Sequence, residues 1–291
     1  MDYDYLAKIK ASISLYTKKK TSNILDGEFG SVYRGRSFDF DDLREYVYGD
    51  SVRDIDWKSS SKTGRVLIRR FIADKKHNIL FVGDSGVKFK GDTDKGEPKA
   101  KVALTTLGTI SYLVNDHGDD YALMTSTNKG YDFSYFRSGA RHLENLLIRY
   151  EKCLAEEESK PLNRTLDYIA ENIKRKMIIF IITDMEGIAN LDEKLLKKLT
   201  VRNDVMVLNI EDAYLTGDNL YDIDKKEYES RFLLRDKKLH EREFAEREGR
   251  RRKAVNTFKK YGISGVDISR EEDIVDKVVE LFERHRNENV G

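Results

Sequence analysis

The sequence predicts an α/β protein built on a doubly wound, mostly parallel sheet with helices on both faces. Three observations carry that prediction. First, Asn78–Val82 (NILFV), Tyr121–Thr125 (YALMT), Met177–Thr183 (MIIFIIT) and Val205–Ile210 (VMVLNI) are short, nearly continuous apolar runs. Strands buried on both faces read this way, because helices cover each side of the sheet. Second, segments of helical pattern separate the runs, over about 98–115, 139–156, 163–174 and 191–200. Alternating strand and helix implies right-handed crossovers. Third, the chain closes with a strand-like stretch, Gly262–Ile268, and an amphipathic helix over Glu271–Arg286, with Ile274, Val278, Leu281 and Phe282 on one side.

The remaining elements follow in chain order. Tyr5, Leu6, Ile9, Ile13 and Tyr16 fall at helical spacing, which predicts a short amphipathic helix over Tyr3–Tyr16. Lys18, Lys19 and Lys20 then sit where the helix dipole favours cations; three lysines are a weak signal for a membrane surface. Residues 24–75 are rich in Gly, Asp, Arg, Tyr and Ser, and predict short strands and turns held by polar contacts. Within them, Val66–Ile72 (VLIRRFI) is expected as a strand leading into the main sheet. The chain is therefore divided into a small loop-rich module, 1–75, and an α/β domain, 76–291. Phe133–Phe136 follows the turn signal Asn128-Lys129-Gly130, which predicts a hairpin that adds an antiparallel edge strand. Residues 212–234 are the least regular stretch. Residues 235–260 predict a long charged helix with eleven Lys/Arg against five Asp/Glu. In it, Glu243–Arg247, Glu246–Arg250 and Glu248–Arg252 stand at i, i+4 spacing.

Composition narrows the function. The 291 residues are 36% charged and 39% hydrophobic, which fits a folded and strongly solvated protein. A net charge of +1 supplies no global basic field for nucleic acid. Cys153 is the only cysteine, so neither an intramolecular disulfide nor a cysteine metal cage can form; it reads as a packing residue near a helix end. The N-terminus lacks the apolar core of a signal peptide, and no stretch approaches the ~18–20 apolar residues of a membrane span. The expected location is the cytoplasm.

The most specific segment runs from Arg34 to Arg65 (RGRSFDFDDLREYVYGDSVRDIDWKSSSKTGR). Ser31, Arg34-Gly35-Arg36, Asp39-Phe40, Leu43 to Tyr46, Gly49-Asp50, Arg53 to Lys58 and Thr63-Gly64 together resemble the signature of the bacterial domain-of-unknown-function-58 family. The later half of the chain is similar to that family's von Willebrand factor A-like (vWA-like), Rossmann-like sheet, of which an antiparallel edge hairpin is a feature. The resemblance implies a non-enzymatic adaptor working with a MoxR-type AAA+ ATPase. Physically, the segment sets Arg34, Arg36, Arg44, Arg53 and Lys58 beside Asp39, Asp42, Glu45, Asp50, Asp54 and Asp56. Arginine–carboxylate pairs can be bidentate and so fix irregular backbone, with Trp57 expected as the apolar anchor. Arg34, Arg36, Arg44, Asp50, Arg53, Asp56 and Lys58 are the candidate partner-binding residues.

The same resemblance raises a metal question. vWA domains often hold a divalent cation at the C-terminal end of the sheet, at a metal-ion-dependent adhesion site (MIDAS). It is built from Asp-x-Ser-x-Ser after the first strand, a Thr from a later loop and an Asp after the fourth strand. Here the first strand is followed by FVGDSGVKF. With Ser85 as the first serine, Gly83 replaces the Asp and Val87 the second Ser. With Asp84 as the motif Asp, Gly86 and Lys88 stand at the serine positions. Asp184 matches the last ligand position, and Thr165, inside a predicted helix, is the nearest candidate for the Thr. Too few oxygens remain for the octahedral set that Mg²⁺ requires. The expectation is therefore a degenerate MIDAS with no cofactor, Ser85 and Asp184 being weak metal candidates. Asp84, Ser85, Thr125, Ser126 and Asp184 should still gather at the crest, where open α/β sheets present their binding loops.

Other motifs fail on inspection. In GDTDKGEP, residues 91–98, Glu97 stands where a phosphate loop needs Lys. The same Asp92-Thr93-Asp94 start of a calcium loop would need an acid at the twelfth position, which is Ala103. The five histidines show no paired metal spacing, and no G-x-S-x-G nucleophile elbow is present. Two rival functions remain: a metal-dependent hydrolase or nuclease using Asp84, Asp92 and Asp184, and nucleic-acid binding through 235–260.

Overall fold

The computed structural model describes residues 42–47, 55–70, 76–128, 130–216 and 237–288, with a few isolated positions besides. The expected N-terminal helix and the signature residues Arg34, Arg36, Asp50 and Arg53 lie outside these residues. Ahead of the main sheet in sequence, β1 (Asp42–Glu45) pairs antiparallel with β2 (Leu67–Arg70), and α1 (Trp57–Thr63) lies between them. The strand expected over Val66–Ile72 thus belongs to its own two-stranded sheet and not to the main one. Trp57 is 65% exposed and so is not the apolar anchor of the module; Leu67 and Ile68 are buried instead.

The main sheet has six strands in the order β10 (Ser264–Ile268), β7 (Asp204–Ile210), β6 (Ile178–Asp184), β3 (Asn78–Gly83), β4 (Asp120–Thr127) and β5 (Gly130–Phe133). The strands β3, β4, β6, β7 and β10 pair in parallel. β5 adds the antiparallel edge, beginning at the glycine of the turn and so earlier than expected. The connecting helices are α2 (Lys99–Asp116), α3 (Ala140–Ala155), α4 (Leu162–Asn172), the single-turn α5 (Met185–Ala189), α6 (Glu193–Thr200), α7 (Lys237–Tyr261) and α8 (Ile274–Glu288). Within the irregular 212–234 stretch, β8 (Tyr221–Asp222) and β9 (Glu227–Tyr228) form a minimal hairpin.

The period-2 alternation of a strand decides which layer each apolar residue enters. On one face, Ile79, Phe81 and Phe180 pack under α2, α3 and α8, with Phe81 stacked on Phe180 at 5.6 Å and Phe180 edge-on to Phe282 at 6.2 Å. On the other, Leu80, Val82, Ile179 and Ile181 meet α4, α6 and the end of α7. Each fully buried side chain of this kind contributes about 1.5–3 kcal/mol of apolar burial. Ile274, Val278, Leu281 and Phe282 of α8 are all buried, as their spacing required.

The order of strands also positions the site. β3 enters at the centre, the chain proceeds to β4 and β5 on one side, and it returns across β3 to β6 on the other. The C-terminal ends of β3 and β6 therefore flank a topological switch point, where the diverging connections leave room for side chains.

Candidate functional site

β3 and β6 run in register, Gly83 opposite Ile182, and the amide of Asp84 donates to the Ile182 carbonyl at 2.9 Å. That pairing carries Asp84 and Asp184 out of the sheet side by side. Both are buried, at 4% and 1% exposure. Asp184 caps α5, accepting from the Gly187 amide at 2.9 Å. Asp84 accepts from the Thr183 hydroxyl at 2.6 Å and from its neighbour Ser85's amide at 2.9 Å.

Two lysine ammoniums occupy the space between these carboxylates. Lys88 Nζ donates to Asp84 Oδ2 at 2.6 Å and to Asp184 Oδ1 at 3.0 Å. Lys99 Nζ donates to Asp184 Oδ2 at 2.9 Å and to Asp212. The result is one chain of alternating charge, Asp84–Lys88–Asp184–Lys99–Asp212. Lys99 itself is 1% exposed and its ammonium stands 5.1 Å from the Phe89 ring centre. Burial opposes the charge on Lys88, yet Asp84 and Asp184 more than offset it and hold its pKa above the ordinary value. Burial likewise opposes the charge on Lys99, and Asp184 and Asp212 outweigh it. Asp184 shows the reciprocal effect: desolvation would raise it, but Lys99 and Lys88 hold it below the usual carboxylate range.

Glycines and one tyrosine make the close approach possible. A Cβ on Gly187 would stand 2.0 Å from Thr183 Oγ1 and 2.8 Å from Asp84 Oδ2. A Cβ on Gly83 would stand 2.4 Å from the Tyr150 ring. Tyr150, fully buried, donates to the Asp84 carbonyl at 3.1 Å; burial, then Asp84, drives its phenol well above the ordinary pKa.

Beside this cluster lies a cleft of about 560 Å³, lined by Lys88, Asp184, Asp212 and the facing side of α7. Acidic side chains outnumber basic ones along it. α7 buries only Glu243 and Phe258 among its described side chains, so it is held on the crest by polar contacts. Glu243 accepts from the Leu215 amide at 2.6 Å and the Thr216 amide at 3.0 Å. Arg247 pairs with Glu243 at 3.2 Å, donates to the Asp212 carbonyl at 2.8 Å and lies 4.2 Å from the Tyr214 ring centre. Arg251 reaches Asp267 and, at 3.5 Å, Glu211. Burial and the Asp267 carboxylate push Glu211 up to about 7. Two buried acceptors nearby, Asp94 Oδ1 and Asn209 Oδ1, have no donor among the described residues. Phe244 and Leu215, 51% and 60% exposed, stand among the cleft-lining residues.

The sequence-derived candidates divide accordingly. Asp84, Ser85 and Asp184 do gather at the crest, with Thr125 and Ser126 close by. Ser85 turns away from the carboxylate chain: its hydroxyl donates to the Ser126 carbonyl at 3.3 Å and accepts from Cys153 at 3.2 Å. Cys153 is a buried packing residue whose thiol burial pushes upward. Asp92 lines the same cleft. Thr165 stays in α4, and the hydroxyl that reaches Asp84 belongs to Thr183. In the small module, Asp56 is buried and caps α1 through the Ser59 amide at 3.0 Å, whereas Lys58 is exposed and Arg44 half-buried. Glu243–Arg247 and Glu246–Arg250 form as spaced, while Arg252 donates to the Glu248 backbone carbonyl and Arg251 takes the Glu248 carboxylate at 3.8 Å. Among the described residues, no group of three or more His, Cys, Asp or Glu side chains is arranged to hold a metal ion. No helix among them is long and apolar enough to cross a membrane.

Residues 42–255 match the family described as "Protein of unknown function DUF58". The chain belongs to the DUF58 family. Uncharacterized proteins of Mycobacterium bovis and Mycobacterium tuberculosis are 22% identical to this DUF58 chain over 218 residues, covering 73% of it and 67% of their own length. Among solved structures, a conserved hypothetical protein BatB from Bacteroides thetaiotaomicron is 13% identical with a TM-score of 0.43, over 72% of this chain and 99% of that one. A von Willebrand factor type A protein from Catenulispora acidiphila is 10% identical with a TM-score of 0.40, over 72% of this chain and 42% of that one. The DUF58 chain carries a six-stranded, mostly parallel sheet, with Lys88 and Lys99 at its crest.

Proposed function

We propose that this DUF58 protein is a non-enzymatic adaptor of the cytoplasm, with a degenerate MIDAS, that docks protein partners and works with a MoxR-type AAA+ ATPase in the assembly or maturation of protein complexes. One observation carries the reading: each carboxylate of the crest, Asp84, Asp184 and Asp212, is already engaged by a lysine ammonium. A carboxylate paired with an ammonium is a poorer general base, because taking up a proton would break the pair. What the crest offers is a shaped, charged cleft with Phe244 and Leu215 among its lining, and aromatic residues near a polar surface are frequent anchors of protein interfaces. The acid-rich lining favours basic side chains on the partner. The basic excess of α7 is partly consumed by its own ion pairs, which argues against a nucleic-acid role.

The test is direct binding to a purified MoxR-type AAA+ ATPase from the same organism, by analytical ultracentrifugation with ATP and with ADP. Co-sedimentation in one nucleotide state, weakened about tenfold by Phe244→Ala, is expected. Absence of association in every nucleotide state contradicts the adaptor reading. Metal-dependent hydrolysis of a phosphodiester substrate, abolished by Asp184→Asn, would favour the rival hydrolase.

A further inference from the structure

Asp84, Asp184 and Asp212 converge at the ends of three neighbouring strands, two of them nearly without solvent. Asp84 with Asp184, and Asp184 with Asp212, stand close enough to share an ammonium; carboxylates so paired repel one another and lose hydration, so the arrangement exists only with compensating positive charge. Hard oxygen donors in such a group, with the Thr183 hydroxyl beside them, are the type that divalent cations take. Here the compensation is covalently attached. Lys88 bridges Asp84 to Asp184, and Lys99 bridges Asp184 to Asp212. Together they bring two positive charges, the charge of one divalent ion.

The placement of Lys99 reinforces the point. It is the first residue of α2, where the helix dipole disfavours a cation, and it is 1% exposed. A lysine stays charged there only because two carboxylates face it. Lys88 is anchored four residues after Asp84, at the 3₁₀ turn Val87–Phe89, so the loop that supplies the carboxylate also supplies its counter-ion.

We propose that Lys88 and Lys99 are a built-in replacement for a divalent cation: they hold the crest loops assembled without metal, and removing the Lys88 ammonium turns the crest into a divalent-cation site. An ammonium donates where a metal would accept, so it both satisfies Asp84 and Asp184 and repels an incoming ion. The inference rests on the degenerate MIDAS of the proposed function but needs no partner: a failure to bind the ATPase leaves it standing, and a Lys88→Met chain that folds and takes no Mn²⁺ overturns it without touching the binding test.

The experiment uses the full chain, with Mn²⁺ as probe, read by calorimetry and by the thermal midpoint in EDTA and in Mn²⁺. The wild-type protein should show no saturable Mn²⁺ site into the millimolar range and an unchanged midpoint. Lys88→Met should unfold at a lower temperature in EDTA. It should bind one Mn²⁺ per chain at about 0.1–1 mM, with a midpoint that climbs with Mn²⁺ by mass action. Adding Asp184→Asn should abolish that binding, and Lys88→Arg should remain metal-free. If Lys88→Met folds only when Mn²⁺ is present, the inference is supported. A wild-type site for one Mn²⁺ that Asp184→Asn removes overturns it. So does a Lys88→Met chain that folds and takes no Mn²⁺, or one that stays unfolded in Mn²⁺ while Lys88→Arg folds.

Discussion

The first five residues of β6 and its last two belong to one strand, yet opposite physics stabilises them. Ile178 to Ile182 are buried among apolar side chains of both helical layers. Thr183 and Asp184 are equally buried, at 0% and 1% exposure, but among charges and hydroxyls. In the middle of the strand the free energy scales with apolar area and tolerates swaps of similar volume. At the end it depends on matching: each buried charge is tolerable only while its partner stays. The same contrast separates α8, held by an apolar stripe, from α7, held through Glu243, Arg247 and Arg251.

One methyl group, moved between the two regions, gives the largest expected effect. Gly187→Ala places a Cβ 2.0 Å from Thr183 Oγ1, breaking its bond to Asp84 or displacing the α5 cap. We expect a loss of about 3 kcal/mol in urea unfolding. Ile181→Val, removing a methyl from the middle of β6, should cost about 0.5–1.5 kcal/mol. If the core substitution proves the costlier, the crest is looser than its distances imply.

The smaller effect is in pH. Glu211 is pushed up to about 7 from its ordinary 4.5, so the folded protein binds more protons than the unfolded chain between those values. Stability should therefore fall as pH rises from about 4.5 to 7 and level off above. Asp184, Lys88 and Lys99 contribute nothing to that slope. Asp184, held low, loses its contribution only below its ordinary 3.8, and Lys88 and Lys99, held high, only above 10.5. Glu211→Gln, mimicking the protonated acid, should flatten the slope and stabilise the protein by about 1 kcal/mol at pH 8. An unchanged slope in the variant would assign the titration to another group.

Much of this was legible in the residues. The continuous apolar runs placed four strands of the parallel sheet to within a residue or two, because burial on both faces leaves little room for polar side chains. Asp84 and Asp184 were legible at the crest because they directly follow or end such runs. Lys88 and Lys99 were not, although Lys88 visibly stood at a serine position of the metal motif. A cation in place of an oxygen donor reads in sequence as a loss, and only three-dimensional proximity shows that it meets Asp184, 96 positions away. The signal available was a lysine between valine and phenylalanine, in the loop after a strand, and another at a helix start where cations are unfavourable. Trp57 misled in the opposite direction: its size suggested an anchor, but it remains largely exposed.

The most direct measurement of the central claim is a double-mutant cycle between Lys99 and Asp184, using Lys99→Met, Asp184→Asn and the combined variant in denaturant unfolding. If charge matching organises the crest, each single change strands a buried charge at a cost of about 3–5 kcal/mol, and the pair is less destabilising than their sum by about 2 kcal/mol or more. Two single effects that simply add would mean that Lys99 and Asp184 do not depend on each other, and the account of a crest held by internal cations would be wrong.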